Sequence, residues 1–223
     1  MGGSSSIKMM NQGQIALFLN GEEPKELPSL NGYEAVFCAD GAYRFFAQSE
    51  VKPDLIIGDF DSITELPYGI EHIHTPDQNF TDFEKAIKII IKKGFASVDV
   101  FAANGLEQDH FLGNLSTALA YKSKLQITFF DDRQTYFFVD KNVKLMNVIG
   151  KKISLFPFPL TIQVTSKGLQ YPLAGTDLSI AQNKVGTRNL ALEETISIRF
   201  KEGELLLFVN LETPSERIFR EVE

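Results

Sequence analysis

The sequence predicts an α/β domain with a mainly parallel sheet flanked by helices, followed by a small antiparallel β-sandwich. From residue 15 to about residue 148, short apolar segments alternate with helical patterns, as in a parallel sheet covered by helices. After Gly150 the helical period disappears and strand patterns continue, separated by proline and glycine. A chain of 223 residues can form one large domain or two small ones. We therefore expect a flexible leader over residues 1–14, an α/β domain over 15–147 and a β-sandwich over 148–223.

The strands of the first domain are predicted from short β-branched or aromatic runs that end at turn residues. They are Ile15–Leu19, Ala35–Cys38, Leu55–Ile57, Val98–Phe101 and Ile127–Phe130. Helices are predicted over Ala42–Gln48, Thr81–Lys93 and His110–Lys122. The helix over Thr81–Lys93 has the clearest pattern, because its apolar residues recur on one face and Gly94 follows as a C-terminal cap. In the second domain the predicted strands are Ile153–Phe156, Ile162–Val164, Ile196–Phe200 and Leu205–Val209.

The composition is that of a soluble globular protein, and it limits the ligands and the kinds of metal site that the protein can have. With 22 Lys and Arg against 29 Asp and Glu, the net charge is −7, so the chain has no basic excess for binding nucleic acid. A polyanionic ligand would therefore need a metal ion. The single cysteine, Cys38, excludes a disulfide framework and a multi-cysteine zinc site. The chain has neither an uninterrupted apolar run long enough to span a membrane nor a signal-peptide pattern, so we expect a cytoplasmic protein without a membrane partner.

The segment Lys52–Ser62 carries the most informative acidic pattern. A buried strand is followed by Gly58 and then by Asp59 and Asp61. In open α/β sheets ligands bind beyond the carboxyl ends of the strands, and carboxylates at i and i+2 in extended chain can point the same way. The pattern favours a metal site with oxygen ligands. The alternative is a turn in which Asp59 caps a helix and Ser62 bonds to the backbone.

Three further acidic residues follow predicted strands or begin predicted helices. Asp40 follows the second strand, Asp82 begins the helix over Thr81–Lys93, and Asp109 precedes the next helix with His110 beside it. Each carboxylate could serve only as a helix cap, and a lone histidine is more often structural than catalytic. Several acidic strand-end loops in one α/β domain nevertheless favour a shared magnesium–phosphate site. The sequence contains no P-loop, no dinucleotide-binding glycine motif and no nucleophile elbow.

These motifs together resemble the thiamine pyrophosphokinase family. The matching motifs, in the family's order, are Asp40-Gly41-Ala42, Pro53-Asp54 with Gly58-Asp59-Phe60-Asp61-Ser62, Thr81-Asp82-Phe83-Glu84-Lys85, and Asp109-His110 with Gly113-Asn114. The segment Thr165–Leu173 resembles the signature of the family's second domain. The resemblance implies an ATP-binding α/β domain followed by a thiamine-binding β-sandwich in a homodimer. It also implies a transferase that moves a diphosphoryl group from ATP to the hydroxyl of thiamine, giving thiamine diphosphate and AMP.

The resemblance also implies roles for individual residues. The carboxylates of Asp59, Asp61 and Asp82 would hold Mg²⁺, and Asp40 and Asp109 would line the same site, one of them helping to deprotonate the thiamine hydroxyl. The residues that it places at ATP are Asp40, Gly41, Ser62, Thr81, Lys85, Asp109, His110 and Asn114. Tyr171 and Asn183 would contact thiamine, whose cationic aromatic rings suit an aromatic platform.

The sequence departs from the family at four positions. Asn79 stands where the family usually has Asp, and Glu107 stands near a usually basic position. Tyr171 replaces the family's stacking Trp, and Gln182 precedes Asn183 where a Ser-Asn pair is expected.

Two alternative functions remain open at this point. One is a diphosphokinase that acts on a pterin alcohol with the same scaffold, and the other is a non-catalytic sensor of nucleotide or thiamine. The second-domain signature favours thiamine over a pterin, and retention of three candidate metal aspartates favours an enzyme over a sensor.

Overall fold

The computed structural model describes residues 13–47, 49–61, 63, 65–213 and 216–222, which divide into two compact units. The first comprises residues up to Glu23 with Ser29–Gln126, and the second comprises Pro24–Pro28 with Ile127–Glu223. The boundary between the two units therefore lies near residue 127, whereas the sequence pattern predicts a domain boundary near residue 148. The difference arises because strands after residue 130 pair with strands near the C terminus, and local periodicity does not report such pairing. None of the described helices is long and apolar enough to cross a membrane.

In the described part of the first unit, five strands pair in parallel in the order β5-β1-β2-β3-β4. Its strands are β1 Gln14–Phe18, β2 Ala35–Ala39, β3 Leu55–Gly58, β4 Glu71–His74 and β5 Ser97–Phe101. A 3₁₀ helix spans Asp40–Phe45, and α-helices span α1 Asp82–Lys92 and α2 Gln108–Tyr121. The predicted α/β architecture of this part of the chain is confirmed.

Helix α1 forms where its sequence pattern predicts it. The hydroxyl of Thr81 caps the N terminus by accepting a hydrogen bond from the backbone N–H of Glu84 at 3.2 Å. Its apolar face, which includes Phe83, Ile87 and Ile90, is buried, and each such side chain contributes about 1.5–3 kcal/mol. The packing of this face fixes the position of the helix N terminus, where Asp82 and Lys85 lie.

Among the described residues of the second unit, the secondary-structure elements that form are all β-strands. Its strands are β6 Gln126–Phe130, β7 Gln134–Val139, β8 Asn142–Met146, β9 Lys152–Lys167, β10 Ala174–Ser179, β11 Gly186–Leu190, β12 Thr195–Arg199, β13 Glu202–Asn210 and β14 Phe219–Val222. Their pairing is antiparallel, in the order β6-β7-β13-β9-β12-β8-β14, and β10 and β11 also pair with β9. Apolar residues from these strands, among them Leu145, Leu155 and Ile196, form one buried core. The predicted antiparallel β domain is confirmed.

Some elements differ from their predicted extents, for physical reasons. β4 was not predicted, because its Glu-His-Ile-His sequence is mostly exposed and has no apolar run. β9 continues through Pro157 and Pro159, where two shorter strands were predicted. The helix predicted over Ala42–Gln48 is instead the short 3₁₀ helix that begins at Asp40, and Gln48 lies outside the described residues.

Candidate active site

The carboxyl ends of β2 and β3 bring Asp40 and Gly58 together. The two strands are parallel neighbours, with Ala39 opposite Ile57. The next residues along each chain segment, Asp40 and Gly58, therefore lie side by side. A Cβ atom added to Gly58 would lie 2.3 Å from Cγ of Asp40, which is closer than any side chain permits. Glycine at position 58 is therefore required for the Asp40 carboxylate to occupy the strand end.

The Asp40 carboxylate is buried and held by backbone groups. Its residue is 6% exposed. Oδ1 accepts a hydrogen bond from the backbone N–H of Gly41 at 2.7 Å, and Oδ2 accepts one from the backbone N–H of Phe60 at 2.8 Å. Burial raises the pKa of Asp40, the two N–H groups oppose this, and the negative charges of Asp82 and Asp59 raise it further. A buried carboxylate among other carboxylates is a place where a cation would be stabilised.

Asp59 and Asp61 lie on either side of Phe60, whose backbone adopts a left-handed conformation. Phe60 has a φ of +66°, which is uncommon for a bulky residue. Its ring lies against His74 in a stacked arrangement at 5.8 Å and meets His72 edge-on at 5.7 Å. The backbone N–H of Asp61 donates to Oδ1 of Asp59 at 3.3 Å, which draws the two acidic residues together.

The carboxylates of Asp40, Asp59 and Asp61 form one cluster. Each offers an oxygen atom, and these three atoms all lie within 4.8 Å of one another. The side-chain amide of Gln78 donates to Oδ2 of Asp59 at 2.8 Å. This bond and the backbone N–H of Asp61 lower the pKa of Asp59, so this carboxylate is kept ionised. Three hard oxygen donors in such a group fit Mg²⁺.

Asp82 lies beside this cluster and pairs with a lysine. Its Oδ1 accepts a hydrogen bond from Nζ of Lys85 at 3.1 Å, and the Lys85 side chain is 7% exposed while that of Asp82 is 51% exposed. Among the described residues, the acidic cluster consists of Asp40, Asp59 and Asp61 and does not include Asp82. The negative charge of Asp82 is nevertheless near enough to raise the pKa of Asp40. The family resemblance predicts Asp82 as a metal ligand together with Asp59 and Asp61, and Asp40 as a residue that lines the same site.

Asp109 and His110 form a separate group at the start of α2. With Glu107 they offer three ligand atoms within 4.8 Å of one another, all on exposed residues. Nε2 of His110 lies 3.3 Å from Oε2 of Glu107, and Oδ1 of Asp109 accepts a hydrogen bond from the backbone N–H of His110. The amide of Asn114 donates to the carbonyl of Ala103 at 2.9 Å, which ties α2 to the loop after β5.

Gln78, Asn20 and Arg44 also lie at the site and were not predicted from the sequence. The guanidinium of Arg44 donates to the carbonyls of Gly41 at 2.9 Å and Gly21 at 2.8 Å and also to the side chain of Asn20. Asn20 follows β1, so the strand-end rule that found Asp40 and Asp59 could have found it. Gln78 lies in a loop, and no pattern in the sequence signals its contact with Asp59. The predicted ATP contact Ser62 lies outside the described residues.

The two expected thiamine contacts lie on the second unit. Tyr171 lies between β9 and β10 and is 68% exposed. Asn183 is in the turn between β10 and β11, with a φ of +53° and a backbone N–H that donates to the carbonyl of Ile180 at 3.0 Å. A backbone pairing between Ser179 and Lys184 closes this turn.

The fold and site define a class of protein with a parallel α/β domain, an acidic cluster at its strand ends and an antiparallel β domain. Two family models match this chain: "Thiamin pyrophosphokinase, catalytic domain" over residues 29–129 and "Thiamin pyrophosphokinase, vitamin B1 binding domain" over residues 137–205. Together they cover most of the sequence, and the chain belongs to the thiamin pyrophosphokinase family.

Individual relatives have low but extended similarity to the chain. Thiamine pyrophosphokinase from Bacillus subtilis (strain 168) is 27% identical in an alignment of 200 positions that covers 82% of this chain and 93% of that protein. Thiamin pyrophosphokinase 1 from Caenorhabditis elegans is 25% identical over 66% of this chain and 69% of its own length. The crystal structure of a thiamin pyrophosphokinase family protein from Enterococcus faecalis has a TM-score of 0.78 and 18% identity, covering 90% of this chain and all of that one. Thiamin pyrophosphokinase from Candida albicans has a TM-score of 0.76 and 19% identity, covering 90% and 89%.

Proposed function

We propose that this protein is an enzyme that transfers a diphosphoryl group from ATP to the hydroxyl of thiamine, giving thiamine diphosphate and AMP. The observation that carries the proposal is the cluster of Asp40, Asp59 and Asp61, which lies within the part of the chain that matches the family's catalytic domain. The match of residues 137–205 to the vitamin B1 binding domain supports thiamine as the acceptor.

We propose Mg²⁺ as the cofactor, with Asp40, Asp59 and Asp61 as its protein ligands. The donor set fits, because the cluster consists of carboxylate oxygens and Mg²⁺ binds to proteins through a small number of such groups together with substrate phosphates. When bound, Mg²⁺ neutralises phosphate charge and so assists transfer to the acceptor.

The residues around the cluster position the reacting groups. The N–H groups of Gly41 and Phe60 hold both oxygens of Asp40 in place, and Gln78 holds Asp59. Lys85 adds a buried positive charge beside Asp82, at the N terminus of α1, where phosphate charge would be favoured. In phosphoryl-type transfer, positioning and charge neutralisation supply most of the catalysis, and this arrangement offers both.

We propose that thiamine binds at the second unit and that the protein works as a homodimer. The exposed ring of Tyr171 offers a face for the cationic aromatic rings of thiamine, and Asn183 offers polar groups. Exposed apolar residues of the second unit, such as Leu160 and Ile180, support an interface with a partner.

The test is a product analysis with purified protein. MgATP and thiamine should yield equal amounts of AMP and thiamine diphosphate, measured by chromatography. Reactions without thiamine, with EDTA and with a pterin alcohol in place of thiamine serve as controls. Formation of AMP with the pterin alcohol and not with thiamine would overturn the proposal in favour of the pterin reaction. Binding of ATP or thiamine without AMP formation would favour a sensor.

A further inference from the structure

A buried asparagine of β11 binds both sides of the Tyr171 backbone. Oδ1 of Asn189 accepts a hydrogen bond from the N–H of Tyr171 at 3.0 Å, and Nδ2 of Asn189 donates to the carbonyl of Tyr171 at 2.7 Å. The residue is 9% exposed. One side chain therefore satisfies the donor and the acceptor of a single residue, and the reversed amide would place donor against donor. This two-point contact fixes the position and the orientation of the Tyr171 backbone.

The segment on either side of Tyr171 is attached to the β-structure. Before it, the backbone N–H of Gln170 donates to the carbonyl of Leu190 at 2.8 Å. After it, the backbone N–H of Leu173 donates to the hydroxyl of Ser166 at 2.9 Å. The backbone is thus held at three points, whereas Tyr171 as a residue is 68% exposed. The side chain of such an exposed residue makes few contacts of its own, so the position of its backbone, which Asn189 holds, determines where the ring can reach.

We infer that Asn189 is a positioning residue that presents the Tyr171 ring to thiamine. The inference rests on the proposed function, in which thiamine is the acceptor and Tyr171 its platform. A ring that is held in place before binding loses less conformational freedom when the ligand arrives, and this increases affinity. Each of the two hydrogen bonds between Asn189 and the Tyr171 backbone is worth about 1 kcal/mol, and removing both would leave the segment free to adopt other orientations.

The first experiment compares the kinetics of Asn189→Leu with those of a matched control. We expect the thiamine KM to rise about tenfold, while the ATP KM and kcat stay within about twofold of the unsubstituted protein. Thr161→Val is the control, because Thr161 is also buried in the second unit and its hydroxyl also bonds a backbone carbonyl, that of Glu204 at 2.5 Å. This variant should lose stability without a change in the thiamine KM. Equal rises in both KM values for Asn189→Leu, or no rise, would overturn the inference.

The second experiment measures thiamine binding without catalysis. The chain contains no tryptophan, so Tyr171→Trp creates a single fluorescent reporter at the platform. Thiamine should quench this fluorescence. Adding Asn189→Leu should weaken the binding about tenfold and lower the fluorescence anisotropy of the free protein, because the ring becomes more mobile. Should Asn189→Leu fail to fold, Asn189→Asp keeps the acceptor, loses the donor and should show a smaller effect of the same kind.

These experiments distinguish a wrong positioning role for Asn189 from a wrong proposed function. If AMP forms but thiamine does not change the fluorescence of the Tyr171→Trp protein, the role of Asn189 is wrong and the proposed function stands. If no AMP forms but thiamine quenches the fluorescence and Asn189→Leu weakens this, the positioning role stands and the proposed transfer is wrong. An unchanged anisotropy and affinity in the double variant would overturn the positioning role alone.

Discussion

The backbone of Gly58 lies directly against the side chain of Asp40 at the carboxyl ends of two neighbouring parallel strands. A Cβ atom at position 58 would lie 2.3 Å from Cγ and 2.4 Å from Oδ2 of the Asp40 carboxylate. Asp40 is buried and is held by the N–H groups of Gly41 and Phe60, so it has little space into which to move. The glycine that ends β3 therefore determines where one member of the acidic cluster lies.

This contact makes Gly58→Ala a test of the Asp40 position. We expect turnover with MgATP and thiamine to fall by about 100-fold or more, because displacement of a catalytic group by about 1 Å has effects of this size. Gly186→Ala is the control, since a Cβ there would lie 3.5 Å from Cβ of Leu155, an ordinary contact, and its activity should stay within about twofold. Near-normal turnover of Gly58→Ala would show that the position of Asp40 is not critical.

Asp61→Asn tests the acidic cluster without disturbing the core. Asp61 is exposed, so the substitution should change the melting temperature little, whereas removal of one charge from the cluster should lower turnover by about 10²–10⁴-fold. Turnover and thermal unfolding are measured together. Asp140→Asn, at another exposed aspartate, should keep full activity. If Asp61→Asn is as active as Asp140→Asn, Asp61 does not hold the metal.

Gln78→Leu tests the hydrogen bond that orients Asp59. Removing the amide should raise the pKa of Asp59, because this bond is the largest of the interactions that lower it. The Mg²⁺ concentration needed for half-maximal activity should increase about tenfold, as expected when a group that orients a metal ligand is removed. The measurement is a Mg²⁺ titration at saturating thiamine. An unchanged titration curve would contradict a supporting role for Gln78.

The ion pair between buried Lys151 and partly buried Glu216 should make stability depend on pH. Nζ of Lys151 lies 2.6 Å from Oε1 of Glu216, and the Lys151 side chain is 6% exposed. Burial raises the pKa of Glu216, but the hydrogen bond from Lys151 and the backbone N–H of Glu212 lower it more, so it lies below its ordinary value of 4.5. A lowered carboxyl pKa stabilises the fold above the ordinary value, and this stabilisation is lost as the pH falls through the lowered value.

Glu216→Gln tests this dependence. The substitution leaves the Lys151 charge without its partner, and we expect the free energy of unfolding to fall by about 1–2 kcal/mol at pH 7. The difference from the unsubstituted protein should shrink below pH 4.5 and vanish under strongly acidic conditions, as measured by urea denaturation across a pH series. In the exposed Lys201–Glu202 pair, Glu202→Gln should cost less than about 0.5 kcal/mol at any pH. A constant difference at all pH values would contradict the argument.

Much of the fold could be predicted because its signals are local. The buried strands β2 and β3 are continuous apolar runs, β1 and β5 are mostly apolar, and α1 has both a capping residue and an apolar face. Exposed β4 and proline-containing β9 have weaker local signals, because their pairing with neighbouring strands stabilises them. The boundary between the two units also has no strong local signal, because β7 belongs to the second unit through its antiparallel pairing with β13.

The sequence by itself determined that Asp59 and Asp61 follow a buried strand, that other acidic residues follow or precede neighbouring elements, and that the motifs resemble one family. Only the tertiary structure decided which carboxylates lie together. Asp40 joins Asp59 and Asp61 because β2 and β3 are adjacent and in register, while Asp82 pairs with Lys85 on α1. Likewise, the contacts of Gln78 with Asp59 and of Asn189 with Tyr171 join residues 19 and 18 positions apart. Such contacts depend on the packing of loops and strands, which no local pattern of residues records.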